Sequence, residues 1–325
     1  GMSGLIHVGM VENGACRIVS PSCLQDIRRR LFDVERGRIE ESQALEVARE
    51  SGASVVLSGQ IGEADGAHYA VWELIDTGSG DIVAASRAEG DQLAALADAV
   101  LEGVLPALAR QCGVEAPKEP QSVTTLTTAD SKAYEYFIAG EVAREQRQLD
   151  EAIQLYERAV ARDTTFAMAY FRLARAHRER LVYGESRVNT ERAWKWRSHL
   201  SIQDRMRLEA WREQLFYRPV AAIDVYRELH ARWPDDKGIL EELAYQLLFW
   251  YFHCECLETC ERGMALFPNE TMFPLLYENV LANLNRPQEA LAAAQTLVVQ
   301  FPDNPNHWDE LALRFIGAGM TDSAA

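Results

Sequence analysis

The sequence predicts an α+β region followed by an all-helical solenoid of repeated units, and three observations carry that prediction. First, strand and helix signals alternate up to about residue 112, whereas no strand pattern appears from Ser131 onward. Second, the stretch between them, "GVEAPKEPQSVTTLTTAD" (113–130), has two Pro and many Thr, the composition of a linker. Third, one set of positions returns at a fixed interval. Ala222, Cys256, Ala290 and Ala324 lie 34 residues apart, and so do Pro234, Pro268 and Pro302. Chance rarely holds one phase at two independent positions across several units, so the interval points to stacked helix-turn-helix pairs.

The region 1–112 resolves into elements in order. "CRIVS" (16–20) reads as a short strand. "PSCLQDIRRRLF" and "ESQALEVARESG" read as helices, the second closed by Gly52. "ASVVLSGQIGEA" is a β-branched run, and "GAHYAVWELID" alternates apolar and polar residues with period two. "TGSGD" (77–81) then turns the chain into "IVAASRA", which makes a hairpin or three-stranded meander. "DQLAALADAVLEGVLPALARQ" supplies an apolar helix to cover one sheet face.

Beyond Ser131 the pattern of Ala152, Ile153 and Tyr156 recurs as Ala222, Ile223 and Tyr226, then as Cys256 and Cys260, then as Ala290 and Ala294. This period, with small residues on the second helix and Pro at its end, resembles the tetratricopeptide repeat. In the first unit Tyr136, Ala139, Gly140, Ala152, Tyr156 and Ala159 occupy the family's places, with Thr164 where Pro is usual. In the last, Trp308, Leu311, Ala312 and Phe315 match the first helix. Small residues let paired helices approach, and the aromatic fills the space to the neighbouring unit. Ala222 follows Ala152 by 70 residues instead of 68, which predicts a lengthened loop before the second helix within "LVYGESRVNTERAWKWRSHL". The expected array over 131–325 has five repeats and a partial sixth.

The stretch from "ALEVARESGASVV" to "GDIVAAS", running on into the repeats, resembles the TolB N-terminal-like domain that precedes tetratricopeptide repeats in bacterial signalling proteins. Relatives carry it beside adenylate cyclase, Ser/Thr kinase or winged-helix regulator modules. The resemblance implies a sensory or regulatory segment of a larger protein.

Composition bounds the alternatives. The 325 residues, 48% hydrophobic and 25% charged, suit a folded chain of two parts. No run approaches the roughly 18 apolar residues of a membrane span, and "LLFWYF" (247–252) reads as a buried helix segment. No signal-peptide pattern opens the chain, so the expected location is cytoplasmic, or periplasmic if an export or membrane segment precedes it. Six Cys without secretory context predict free thiols in a reducing compartment. A net charge of −16 disfavours binding to nucleic acid. Between Arg172 and Arg218, however, twelve Lys or Arg face six Asp or Glu.

Candidate chemistry is sparse. "HCECLETC" sets His253, Cys254, Cys256 and Cys260 together, soft ligands of the kind zinc takes. Cys256 and Cys260 also fall on repeat-core places where small buried residues are wanted. The core reading predicts no metal. "TGSGD" lies between strands and lacks the helix N-terminus that a phosphate loop needs. The seven His belong to no nucleophile motif, so neither an enzyme nor a cofactor is expected.

Binding is better supported. In the repeat family the first helices line a concave groove. Carried over by phase, the groove would show Tyr134, Phe137, Glu141 and Arg144, then Phe171, Arg175 and Arg178, then Trp211, Tyr245 and Phe249, then Asn279 and Asn283. Arg and aromatics dominate interface energetics, and Asn residues one turn apart suit a peptide backbone. Against this, exposed Arg can merely solvate a helix face, and Phe249 can be inter-repeat core. The expected function is a non-catalytic scaffold binding a protein or peptide, in particular an acidic segment near Arg175, Arg178 and Trp211. The chain's own acidic N-terminal region is the alternative partner. The sixth unit stops inside its second helix, so Trp308, Leu311 and Phe315 require a cover, either a continuation or a second copy of the chain.

Overall fold

The computed structural model describes residues 2–14, 16–32, 40–64, 67–302 and 304–319. By contact the chain divides into two compact units, residues 1–18 with 38–217, and residues 19–37 with 218–325. Ala324, the last residue of the 34-residue series, lies outside the described residues.

The first unit begins with α1 (Met2–Asn13) and continues with α3 (Glu41–Glu50), after α2 (Pro21–Phe32) has joined the second unit. Gly52 closes α3 at φ +72°, the left-handed conformation its place predicts. Strands β1 (Val55–Ala64), β2 (Ala67–Asp76) and β3 (Ile82–Gly90) form an antiparallel meander, β1-β2-β3. The register pairs Gly59 with Trp72 and Trp72 with Ser86, and it shifts between Leu74 and Ile75. The turn at 77–81 forms because Asp76 Oδ1 accepts from the backbone N–H of Gly78 (3.0 Å) and Ser79 (2.8 Å). Those bonds, Ser79 first, hold the Asp76 carboxyl below its usual range.

Helix α4 (Leu93–Cys112) covers one sheet face, packing Leu96, Val100 and Val104 on Trp72 and Leu74. Alternate β2 residues supply that face, as the period-two pattern requires. Arg17–Ser20 are not a strand. Cys16 is disulfide-bonded to Cys112 and Ser20 caps α2, so this short run has no strand edge to join. The expectation of six free thiols is likewise corrected: Cys16 and Cys112 are bridged at a Cα–Cα distance of 6.3 Å, within disulfide geometry. Sequence spacing could not show this, because the fold brings together positions 96 residues apart.

The stretch 113–130 is pinned to α4. Within it α5 (Val123–Leu126) buries Val123 and Leu126. Asp98 on α4 accepts from the Ser122 hydroxyl (2.7 Å), the Val123 N–H (2.6 Å) and the Thr124 hydroxyl (2.8 Å).

Eleven α-helices then follow among the described residues: α6 (Ser131–Glu145), α7 (Leu149–Arg162), α8 (Ala167–Glu179), α9 (Tyr183–Lys195) and α10 (Ile202–Leu215) in the first unit, and α11 (Pro219–Arg232), α12 (Lys237–Phe249), α13 (His253–Leu266), α14 (Met272–Asn283), α15 (Pro287–Gln300) and α16 (Pro305–Gly317) in the second. A left-handed residue follows α6, α8, α10, α12 and α14: Arg147, Leu181, Tyr217, Tyr251 and Asn285, at φ of 61°, 61°, 56°, 65° and 57°. Successive separations are 34, 36, 34 and 34 residues. The turn closes as a Schellman motif, with Gln148 N–H donating to Ala143 O (2.9 Å) and Phe252 N–H to Leu247 O (2.8 Å).

The two additional residues do not lengthen the loop before α9. They go to the segment after it, which contains a 3-10 turn at Arg197–His199. The small-residue place therefore runs Ala152, Ser186, Ala222, Cys256 and Ala290, each fully buried. Gly140 shows why size matters there: a Cβ on it would lie 2.6 Å from Tyr156 Cε1.

Candidate partner-binding site

In the first unit, packing takes up several of the residues expected to line a groove. Tyr134, Phe137 and Phe171 are buried, at 8%, 9% and 1% exposure. Phe137 sits 5.1 Å from the Phe166 ring and 6.1 Å from Tyr156, so these side chains face the partner helix instead of an open surface. Glu141 accepts the Tyr156 hydroxyl and pairs with Arg172 (3.2 Å) and Arg144 (3.7 Å). Burial alone would raise the Glu141 carboxyl, but Arg172, the Tyr156 hydroxyl and Arg144 hold it below its usual value. Arg144 and Glu141 thus belong to an internal charge cluster.

Phe171, Arg175 and Trp211 do come together. Phe171 meets Trp211 edge-on at 6.3 Å, and the Arg175 guanidinium lies 5.6 Å from the Trp211 ring. Trp211 is fixed by its Nε1–H, which donates to the Thr190 hydroxyl (3.1 Å). Arg178 is exposed and stacks over Tyr183 at 4.7 Å.

In the second unit, Leu248, Phe249, Trp250, Tyr251, Asn279 and Asn283 line a cleft of about 390 Å³. Tyr245 stacks on Phe249, centroids 6.3 Å apart and planes 17° from parallel, with both rings about half exposed (50% and 57%). Tyr251, at the left-handed turn, is 77% exposed. "LLFWYF" is therefore buried only at its start: Leu247 is in the core, whereas Phe249, Tyr251 and Phe252 are exposed. Helix α12 ends at Phe249, and the turn throws the following aromatics outward.

Asn279 is oriented from behind. Its Oδ1 accepts from Arg314 on α16 (3.0 Å), and its Nδ2 donates to Leu275 O (2.8 Å). Arg314 has only donors, so the amide oxygen must face it, which leaves the second amide hydrogen for a ligand. Arg314 is itself held by the fully buried Glu278 and by Glu310 (3.2 Å). Burial pushes the Glu278 carboxyl up, and Arg314 opposes that shift. Asn283, one turn on, is exposed. Tyr245, Phe249, Asn279 and Asn283, named by repeat phase, lie near one another here, joined by Tyr251 and Arg314, which repeat phase did not name. The exposed aromatic run was the available signal for the former, whereas Arg314 is recognisable only once α16 lies beside α14.

Cys256 and Cys260 are fully buried, and the Cys256 thiol contacts Ala244 O at 3.2 Å. Among the described residues no group of three or more His, Cys, Asp or Glu could hold a metal, and no helix is long and apolar enough to cross a membrane.

No protein-family model matches the chain. No curated protein matches it either. Among solved structures it is similar to PilW, a widely conserved type IV pilus biogenesis factor, at 10% identity over 60% of this chain and 90% of that one, with a TM-score of 0.51. It also has likeness to YrrB, a tetratricopeptide-repeat protein with an unusual peptide-binding site (16% identity, 54% of this chain and 89% of that one, TM-score 0.39). A thermophilic tetratricopeptide-repeat protein of Thermus thermophilus is similar at 14% identity, over 57% of this chain and 99% of that one, with a TM-score of 0.44. The likeness to PilW is one of fold, over 60% of this chain.

Proposed function

We propose that this protein is a non-catalytic interaction scaffold whose α12–α14 cleft holds an extended peptide segment of a protein partner. One observation carries the reading: an Asn amide oriented by Arg314 stands beside a stacked, half-exposed Tyr245–Phe249 pair. Clustered aromatics exposed next to an oriented amide and a second Asn one turn on suit a peptide, whose backbone the Asn pair would engage and whose side chains the rings would cover. Among the described residues the cleft lining has no charged side chain, so binding there should depend little on salt. Selection of peptides from a displayed library against the whole protein tests this. Asn283→Ala and Phe249→Ala should each weaken the selected peptides about tenfold, the scale of one lost hydrogen bond or apolar anchor.

A second reading, an acidic segment held by Arg175, Arg178 and Trp211, is favoured by the exposure of Arg178 within a locally basic stretch. Peptides bound there would lose affinity steeply with salt and with Arg178→Glu. The repeat phase also supports one continuous solenoid from Ser131 onward, which a small-angle scattering profile tests. The TolB N-terminal-like pattern supports membership of a larger bacterial signalling protein, and the full gene sequence tests that.

A further inference from the structure

We propose that the end of the second unit formed by α12 and the loop entering α14 is a docking surface for a basic amphipathic helix, and that α2 is its built-in, exchangeable occupant. The chain on either side of residues 19–37 belongs to the first unit, yet α2 packs in the second. Its contact is composite, part apolar and part charged. Ile27 is buried, and Cys23 packs on the cluster of Leu240, Phe267 and Phe273. Ser20 caps the helix, accepting from the Cys23 N–H (3.2 Å), and its hydroxyl also donates across to Asp235 O (2.7 Å). Arg29 reaches Glu270 at 3.3 Å, on the same carboxylate oxygen that Lys237 holds at 2.6 Å.

Charge complementarity selects the occupant. The surface offers Asp235, Asp236, Glu242 and Glu270 around Lys237, and α2 brings Arg28, Arg29 and Arg30. Two features make the occupant exchangeable. Helix α2 has only twelve residues, a length at which a helix has little stability of its own. Docking also buries Asp26 to 3% exposure with no hydrogen-bond partner for its Oδ1. That carboxyl is pushed up first by burial and then by Glu270, with Arg29, Lys237 and Arg30 opposing, and undocking returns it to water. A helix from a partner that keeps an Arg at the Arg29 place and replaces the buried carboxylate with an apolar group fits the surface better than α2 does.

The test uses the whole protein and labelled synthetic peptides of residues 19–32. A peptide with Asp26→Leu should bind at least tenfold more tightly than the native-sequence peptide, and one with Arg29→Glu at least tenfold more weakly. Binding should raise hydrogen exchange in α2 of the intact chain while α13 stays protected. In a Glu270→Arg protein the peptide preference should invert, so that the Arg29→Glu peptide binds best. Absence of peptide binding, or exchange of α2 only through unfolding of the whole unit, overturns the proposal.

Discussion

Replacing Cys16 and Cys112 with Ala should cost the first unit close to the full chain-entropy value of its disulfide. The bridge closes a loop of 96 residues between the end of α1 and the end of α4. Cross-linking such a loop removes about 16 cal/mol/K from the unfolded ensemble, or about 4.7 kcal/mol at room temperature. In a unit of this size each kcal/mol moves the melting temperature by roughly 2–4 °C, so a fall of about 10–18 °C is expected. Thermal unfolding of the oxidised protein, the reduced protein and the double Ala variant measures it, with thiol counting to establish the redox state. The oxidised protein should show four free thiols, Cys23, Cys254, Cys256 and Cys260. Six reactive thiols after air oxidation, or melting unchanged by reductant, would refute the reasoning.

Other outcomes follow from single side chains. Tyr156→Phe removes a buried hydroxyl bonded to an ionised Glu141, and urea unfolding should show a loss of about 1.5–3 kcal/mol, the range for a bond to a charged group. Glu241 is pushed up to about 7, by burial first, with Lys237 opposing and Glu270, Glu242 and Asp236 adding. A raised carboxyl stabilises the fold below its ordinary value and loses that contribution as pH rises through the folded one. Melting of the second unit should therefore fall between about pH 5 and about pH 8, and Glu241→Gln should flatten the profile. Chelators should leave helicity unchanged, because Cys256 and Cys260 serve as core residues; tightly held zinc with melting on chelation would contradict this.

The repeats were legible because their signal is local and periodic. Ala152, Cys256 and Ala290 sit where helix pairs approach most closely, and only small side chains fit. The hairpin was legible for the same reason, since Asp76 and Gly80 encode their own turn. Helix α1 was not, because its apolar residues and glycines show no face, and it is held by tertiary bonds such as Glu12 accepting from the Ile202 N–H (2.6 Å). Phase reasoning placed Tyr134, Phe137 and Phe171 on the right helices but could not tell the face turned to the partner helix from the open one. It also could not see that Glu141 and Arg172 satisfy one another. Interactions between residues far apart in the chain, the disulfide and the Arg314–Glu278 pair among them, leave no spacing to read.

The most direct measurement of the central claim is a hydrogen-exchange footprint of a library-selected peptide on the whole protein. Protection should appear at the C-terminal turn of α12 and along α14, around Phe249, Asn279 and Asn283, and should persist in high salt. Protection confined to α8 and α10 around Arg175, Arg178 and Trp211, or a footprint that salt abolishes, would contradict it.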